Sequence, residues 1–215
     1  MIVSFSNNFV VVRPAKTGST SLLLYFLKSG LVDLKRDLYT VENDLVGVGV
    51  NKQEKIKNLF LPENPYHVTF SKLIEKNLII AETPCISTIR NPLCRFYSAY
   101  YHIKSCGTDD LTQNAFWDAL KAKEPRMGVK ALSTPQCDYF PDHAELFNTE
   151  NLHEHVSKYI LERGGKVDGR IEMRKNPDNK LDVFLAELTP DRKQDILDTY
   201  AKDFELWEKA YAVYN

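Results

Sequence analysis

Phe9–Leu24 reads FVVVRPAKTGSTSLLL. Phe9 to Val12 suit a buried strand, Arg13-Pro14-Ala15-Lys16-Thr17-Gly18 break the pattern, and Ser19-Thr20-Ser21 lead into an apolar run that suits a helix. A strand, a basic hydroxyl-rich turn and a helix start form an arrangement that binds phosphate. The turn supplies backbone N–H groups, the helix dipole favours an anion, and Lys16 and the hydroxyls add charge and donors. The common nucleotide loop GxxxxGK[ST] is a different pattern, because its Lys directly follows the second Gly, whereas Lys16 precedes Gly18 by two positions. On these residues alone, a strand-to-helix turn with Ser19 or Thr20 as N-cap stands beside the phosphate-binding reading.

The whole chain bounds what the stretch can belong to. Its 215 residues are 43% hydrophobic, the composition of an ordinary globular protein, and one domain over residues 1–215 is expected. The formal net charge is -1, so no overall field draws the chain to nucleic acid or to a membrane, and anion binding must come from local Lys and Arg. No apolar run reaches the ~20 residues of a membrane span. The start, MIVSFSNNFVVV, has no basic leader or cleavage site, so a soluble, cytoplasmic protein is expected. Cys85, Cys94, Cys106 and Cys137 make no CxxC pair and read as reduced thiols. His153 and His155 are two apart and HExxH is absent, so no metal site is expected.

In chain order, Ile2–Phe5 and Phe9–Arg13 are strand candidates around the turn pair Asn7-Asn8. Ser19–Ser29 follows as a helix that buries Leu22, Leu23, Phe26 and Leu27 and stops at Gly30. Val46–Val50 alternates like a short strand, and Lys52–Phe60 carries helix formers up to Pro62. A helix is expected from Ser71, with strands at Leu78–Ala81 and Cys85–Ile89. Pro92 then opens a helix through about Lys104.

That second strand–turn–helix carries an arginine at the end of a strand, Arg90, with Arg95, Ser98 and His102 at helical spacing after it. An arginine beside a helix N-terminus and a serine makes a second anion site, and an arginine salt-bridged at the surface is the plain alternative.

Together the two stretches are more specific than either alone. Arg13-Pro14-Ala15-Lys16-Thr17-Gly18-Ser19-Thr20-Ser21 resembles the 5′-phosphosulfate loop of sulfotransferases that use 3′-phosphoadenosine-5′-phosphosulfate (PAPS), closest to the R-x-P-K-T-[AG]-S-T-S of the carbohydrate (uronyl 2-O-type) enzymes. Arg90-Asn91-Pro92-Leu93-Cys94-Arg95-Phe96-Tyr97-Ser98-Ala99-Tyr100 resembles their 3′-phosphate motif, R-[DN]-P-x-x-R-x-x-S-x-Y, with Asn91 in place of the more frequent Asp. Pro135–Phe140, Thr149–Leu152 and Tyr200–Phe204 are looser matches to later family blocks.

The resemblance implies an α/β, P-loop-like three-layer fold with a central parallel sheet flanked by helices. It implies that Lys16 supports the breaking S–O bond, that Thr17, Gly18, Ser19, Thr20 and Ser21 hold the 5′-phosphate through N–H groups and hydroxyls, and that Arg90 and Ser98 hold the 3′-phosphate. Arg13 either faces the sulfate or closes the strand, and Arg95 either binds or pins the motif. PAPS is then the co-substrate, adenosine 3′,5′-bisphosphate (PAP) the product, and a hydroxyl on a glycan or other sugar-containing molecule the acceptor.

Sulfuryl transfer to a hydroxyl also needs a proton acceptor held in line. His67, between the two motifs, resembles the histidine that supplies the base in the uronyl 2-O-group, and a histidine capping the helix at Ser71 is the structural alternative. His102 and Glu82 are the other base candidates; His143, His153 and His155 stand far from both motifs in sequence. The loop Pro125–Asp142, with Tyr139 and Phe140, reads either as acceptor cleft or as packed surface. The basic run Val167–Lys180 reads either as a loop over the adenine or as a solvated linker. Leu111–Lys123, Glu145–Asn148, Asn151–Arg163 and two segments of Pro190–Tyr214 complete the expected elements, the last with Ile196, Leu197, Tyr200, Phe204, Trp207 and Tyr211 on apolar faces. An ATP-dependent small-molecule kinase and a catalytically inactive nucleotide-binding relative are the competing functions.

Overall fold

The computed structural model describes residues 1–33, 36–39, 67–105, 111–122, 129–169 and 181–212. The expected strand Val46–Val50 and helix Lys52–Phe60 lie outside the described residues, as do Cys106, residues 125–128 of the expected acceptor loop and most of the run Val167–Lys180.

Strand β1 (Ile2–Ser4) turns back through Asn8, at φ 51°, into β2 (Phe9–Val11), and the two pair antiparallel with Ile2 opposite Val11. Asn tolerates this left-handed backbone better than most side chains. Helix α1 (Ser19–Lys28) follows and ends at Ser29, with Gly30 left-handed at φ 79° just beyond. Strand β3 (Leu38–Tyr39) pairs antiparallel with β1. Helix α2 (Phe70–Glu75) precedes β4 (Cys85–Ile89), which lies parallel to β2, and α3 (Pro92–Lys104) follows β4 at once. After α4 (Gln113–Lys121), α5 (Val129–Ser133) and a 3₁₀ turn at Gln136–Asp138, β5 (Glu145–Asn148) adds parallel to β4 and leads into α6 (Leu152–Glu162). Helices α7 (Leu181–Ala186), α8 (Pro190–Thr199) and α9 (Ala201–Ala212) complete the described chain.

The sheet order is β3-β1-β2-β4-β5, so the architecture is α/β with a mixed sheet. A central parallel sheet is the expectation, and β2, β4 and β5 at its centre are parallel. The departure is the edge: the short turn after Ser4 leaves no room for a crossover helix, so β1 can only return antiparallel. From β2 onward each strand is parallel to its neighbour and is followed by a helix.

Strand alternation sorts the core into two faces. Ile2, Phe9, Val11, Ile86 and Phe147 pack with Leu22, Phe26, Val156 and Ile160 of α1 and α6. Met1, Val3, Val10, Val12, Cys85 and Ile89 pack on the opposite face with Phe70, Leu73, Tyr139 and Ala210. A third cluster joins α3, α4, α7 and α8 around Phe96, Trp117, Phe184, Ile196 and Tyr200. Among the described residues no helix is long and apolar enough to cross a membrane.

Some expectations change. Leu78–Ala81 is a turn and no strand: Asn77 is left-handed at φ 52°, Leu78 N–H closes back on the Leu73 carbonyl, and Ile80 stands 66% exposed. The apolar run there covers the end of α2 without pairing. Tyr139 and Phe140 are buried core, with the Tyr139 hydroxyl donating to the Ala131 carbonyl, so this part of the loop is packed. Leu197 and Tyr211 are exposed, whereas Ile196 and Tyr200 are buried as their spacing suggested.

The antiparallel edge is held by a buried carboxylate. Asp37 accepts from Ser4 Oγ (2.8 Å), Phe5 N (2.9 Å), Ser6 N (3.1 Å), Ser6 Oγ (2.8 Å) and Asp33 N (2.9 Å). Burial alone pushes its pKa up, yet the hydroxyl and N–H donors outweigh burial and hold it below the usual value. Asp37→Ala strands the buried Ser4 hydroxyl and four part-buried donors at once, and a loss of about 3 kcal/mol in urea unfolding is expected. A loss under about 1 kcal/mol, the net worth of one ordinary hydrogen bond, contradicts this role.

Candidate functional site

Residues 12–18 join β2 to α1 at the carboxyl end of the parallel strands, and Arg90-Asn91 join β4 to α3 beside them. This is where open α/β sheets bind ligands. Each link is shaped by local chemistry. Lys16 and Gly18 are both left-handed, at φ 63° and 71°, which folds the loop tightly before the helix. Asn91 is the N-cap of α3, its Oδ1 accepting from Leu93 N (3.0 Å) and Cys94 N (3.3 Å), with Pro92 at the first helical position. An Asp oxygen could accept the same two bonds.

Neither Ser19 nor Thr20 caps α1. The N-cap is Gly18, and no side chain caps that helix. The Ser19 hydroxyl donates backwards to the Pro14 carbonyl (2.9 Å), and so does that of Thr17 (2.9 Å), which also meets Thr88 Oγ1 at 2.7 Å. These two hydroxyls therefore shape the loop, and the groups it offers a phosphate are mainly N–H.

The decisive feature is what happens to the carbonyls. His67 Nδ1 lies 2.9 Å from the Arg13 carbonyl, and since a carbonyl only accepts, that nitrogen carries the proton. Pro14 O takes the Thr17 and Ser19 hydroxyls. Ala15 O accepts from Arg95 Nε (2.9 Å), Lys16 O from Arg90 Nη1 (3.4 Å) and Thr17 O from Thr149 Oγ1 (2.9 Å). Gly18 O accepts from Ser21 N (2.9 Å) and Leu22 N (3.2 Å). All carbonyls from Arg13 to Gly18 are thus turned to protein donors. A loop whose acceptors are consumed this way presents its N–H groups without competing negative oxygens, the condition for an anion cradle.

Cations surround it. Arg13 is buried, 1% exposed, and its Nη2 donates to Thr20 Oγ1 (2.7 Å), so it closes the strand beneath the loop. The Thr20 hydroxyl, accepting that bond, keeps its own proton to donate. Lys16 is half-buried on the loop, and the half-buried Arg90 reaches it from the neighbouring strand end. Arg95 pins the motif: besides Ala15 it donates through Nη2 to the Ala131 (3.2 Å) and Thr134 (3.0 Å) carbonyls, with Tyr200 5.9 Å from its guanidinium carbon. Ser21 and Ser98 are buried on α1 and α3, and no hydrogen bond among the described residues ties Ser98 to the loop.

His67 does not cap α2; Thr69 does, accepting from Lys72 N (3.3 Å). Burial pushes the imidazole pKa down to about 3, the Arg13 carbonyl opposing this and the charges of Arg13, the N-terminus and Arg95 adding to it. The ring is neutral at physiological pH, with the proton on Nδ1 and the lone pair on Nε2. Glu82 is exposed at the opposite, amino end of β4, a strand of five residues spanning about 16 Å, and His102 is exposed near the far end of α3. His143 bonds the Thr83 carbonyl (3.2 Å) at that same opposite edge, and His153 Nδ1 meets the Tyr25 hydroxyl (2.7 Å) between α1 and α6. Of the base candidates, His67 is the one whose bond to the loop is seen among the described residues.

Thr149, Gln136 and Asp203 were not singled out in the sequence, although each stands in one of the loosely matching blocks. Thr149 ties the loop to β4 by reaching both Thr17 O and Ile89 O (3.1 Å). Comparisons of the chain with protein-family models, curated proteins and solved structures find no match.

The left-handed backbone at Lys16 is strained for a residue with a Cβ. Lys16→Gly is therefore expected to unfold about 1 kcal/mol later than Lys16→Ala, a difference read by urea titration of the two variants. Equal stabilities contradict the strained loop.

Proposed function

We propose that the chain is a PAPS-dependent O-sulfotransferase acting on a hydroxyl of a carbohydrate acceptor. The observation that carries this reading is the donor-only loop, with its six successive carbonyls engaged and Arg13, Lys16 and Arg90 around it. The second support is its pairing, carbonyl to guanidinium, with the Arg90 turn, since two adjacent anion sites suit a nucleotide phosphorylated on both 5′ and 3′ oxygens. The parallel strands β2, β4 and β5, each followed by a helix, fit a P-loop-like core with an antiparallel edge added. Free thiols at Cys85, Cys94 and Cys137 fit a reducing, cytoplasmic setting.

In this reading the acceptor oxygen attacks sulfur in line while the bond from sulfur to the 5′-phosphate oxygen breaks and its electron pair stays on the phosphate. Lys16 and the N–H groups of residues 17–20 stabilise the charge gathering there. The acceptor proton goes to His67 Nε2, because Nδ1–H is held by the Arg13 carbonyl. With a pKa of about 3 the free imidazole is a weak base. An anion seated on the loop supplies an opposite charge that raises its proton affinity, so base strength rises when the donor binds.

Titration calorimetry should show PAP binding without Mg²⁺ and ATP binding more weakly. Tighter binding of ATP–Mg²⁺ would favour a kinase and sink this reading. His67→Ala is expected to bind PAP normally and to lose about 10²–10⁴-fold in turnover. Turnover within a few-fold of the parent removes His67 from the mechanism. The acid limb of kcat/KM, which reports the free protein, should fall far below pH 6.5, and that of kcat at a higher pH than it. Coincident limbs near pH 6.5 would contradict the low imidazole pKa.

A further inference from the structure

Gln136 is fully buried, and its carboxamide is committed to one residue's backbone in both directions. Arg90 N–H donates to Gln136 Oε1 at 2.9 Å, and Gln136 Nε2 donates to the Arg90 carbonyl at 2.9 Å. The pair continues the ladder of β4 by one step, with a side chain standing where a neighbouring strand would be. Gln136 is itself held from behind. Asp203, fully buried on α9, accepts from Gln136 N (2.7 Å) and Cys137 N (2.8 Å), and its Oδ2 lies 3.4 Å from Gln136 Nε2. A buried carboxylate and a buried carboxamide are costly groups to place in a core, and apolar residues would fill the volume more cheaply. What they specify here is the conformation of a single residue, the arginine whose guanidinium meets the loop.

We infer that Gln136, anchored by Asp203, is a positioning residue: it fixes the Arg90 backbone so that the guanidinium is held over the Lys16 carbonyl and is preorganised for a phosphate. Helix α9 thereby belongs to the binding site although it contributes no ligand group. The inference rests on the proposed reading of Arg90 as the group that takes the 3′-phosphate. Preorganisation matters because an arginine side chain free to sample many rotamers must be ordered on binding, at a cost in affinity. The effect should therefore appear only with ligands that carry the phosphate Arg90 binds.

The test compares PAP with adenosine 5′-monophosphate, by calorimetry, on the parent protein, Gln136→Leu, Arg90→Ala and the double variant. Gln136→Leu is expected to weaken PAP about 10-fold and leave the monophosphate within about 2-fold. In the Arg90→Ala background it should cause no further loss, since both changes remove the same interaction. Equal losses on both nucleotides, or losses that simply add, overturn the inference and assign Gln136 a merely structural role. If Gln136→Leu does not fold, Gln136→Met keeps the length of the side chain and loses both hydrogen bonds to Arg90, and a selective loss on PAP is the supporting result. A parent protein with no preference for PAP over the monophosphate removes the 3′-phosphate reading itself. The relay is then judged by hydrogen exchange at the Arg90 amide, where faster exchange in the Gln136 variant supports it and unchanged exchange overturns it.

Discussion

Backbone carbonyls are obligatory acceptors, and a loop that is to hold an anion must send them elsewhere. Between Arg13 and Gly18 this chain sends each one into the protein, to an imidazole, to hydroxyls, to guanidinium groups and to helix N–H groups. The donors come from four separate places: His67 before α2, Arg90 and Arg95 around the start of α3, Thr149 after β5, and α1 itself. Much of the architecture can be understood as what brings these donors to one point. The parallel pairing of β2, β4 and β5 sets the ends of three strands side by side, so that the turn after each can reach the loop after β2.

The same constraint explains why charged groups are buried where they are. Arg95 is 3% exposed in a helix whose neighbouring cluster is aromatic, a placement that costs desolvation, and it is compensated by three backbone carbonyls and the face of Tyr200. Arg13 lies deeper still, under the first turn of α1, where it donates to the Thr20 hydroxyl. Positive charge beneath the loop and helix dipole above it act in the same direction on whatever anion sits there. The low proton affinity of His67 comes first from its burial, and the charges that attract an anion add to it because they also repel a proton.

What could be read in the sequence was the chemistry carried by neighbours in the chain. Phe9–Val12, Gly30 and Pro92 mark a strand, a stop and a start through their own backbone preferences, and the structure places them so. The basic loop and the arginine turn were visible as two motifs, and their adjacency follows once β2 and β4 pair. What holds the two motifs was not visible, because Thr149, which takes the Thr17 carbonyl, and Gln136 and Asp203, which hold the Arg90 turn, act over separations that no local pattern encodes. For the same reason Arg95 stayed ambiguous between ligand and pin until its three acceptors were seen. The errors have a common cause: Leu78–Ala81, Leu197 and Tyr211 are apolar residues that the fold leaves unpaired or exposed, and composition cannot separate these from a core strand or face.

The central claim is that the segment from Lys16 to Ser21 is a preorganised anion cradle completed by Arg90. Amide and guanidinium resonances, followed by NMR while PAP is added, test it most directly. The account predicts large shifts at the backbone N–H groups of residues 16–21 and at Arg90 Nε, and little change on the opposite edge around Glu82 and His143. Shifts concentrated at that opposite edge, or absent from residues 16–21 at saturating ligand, would contradict it.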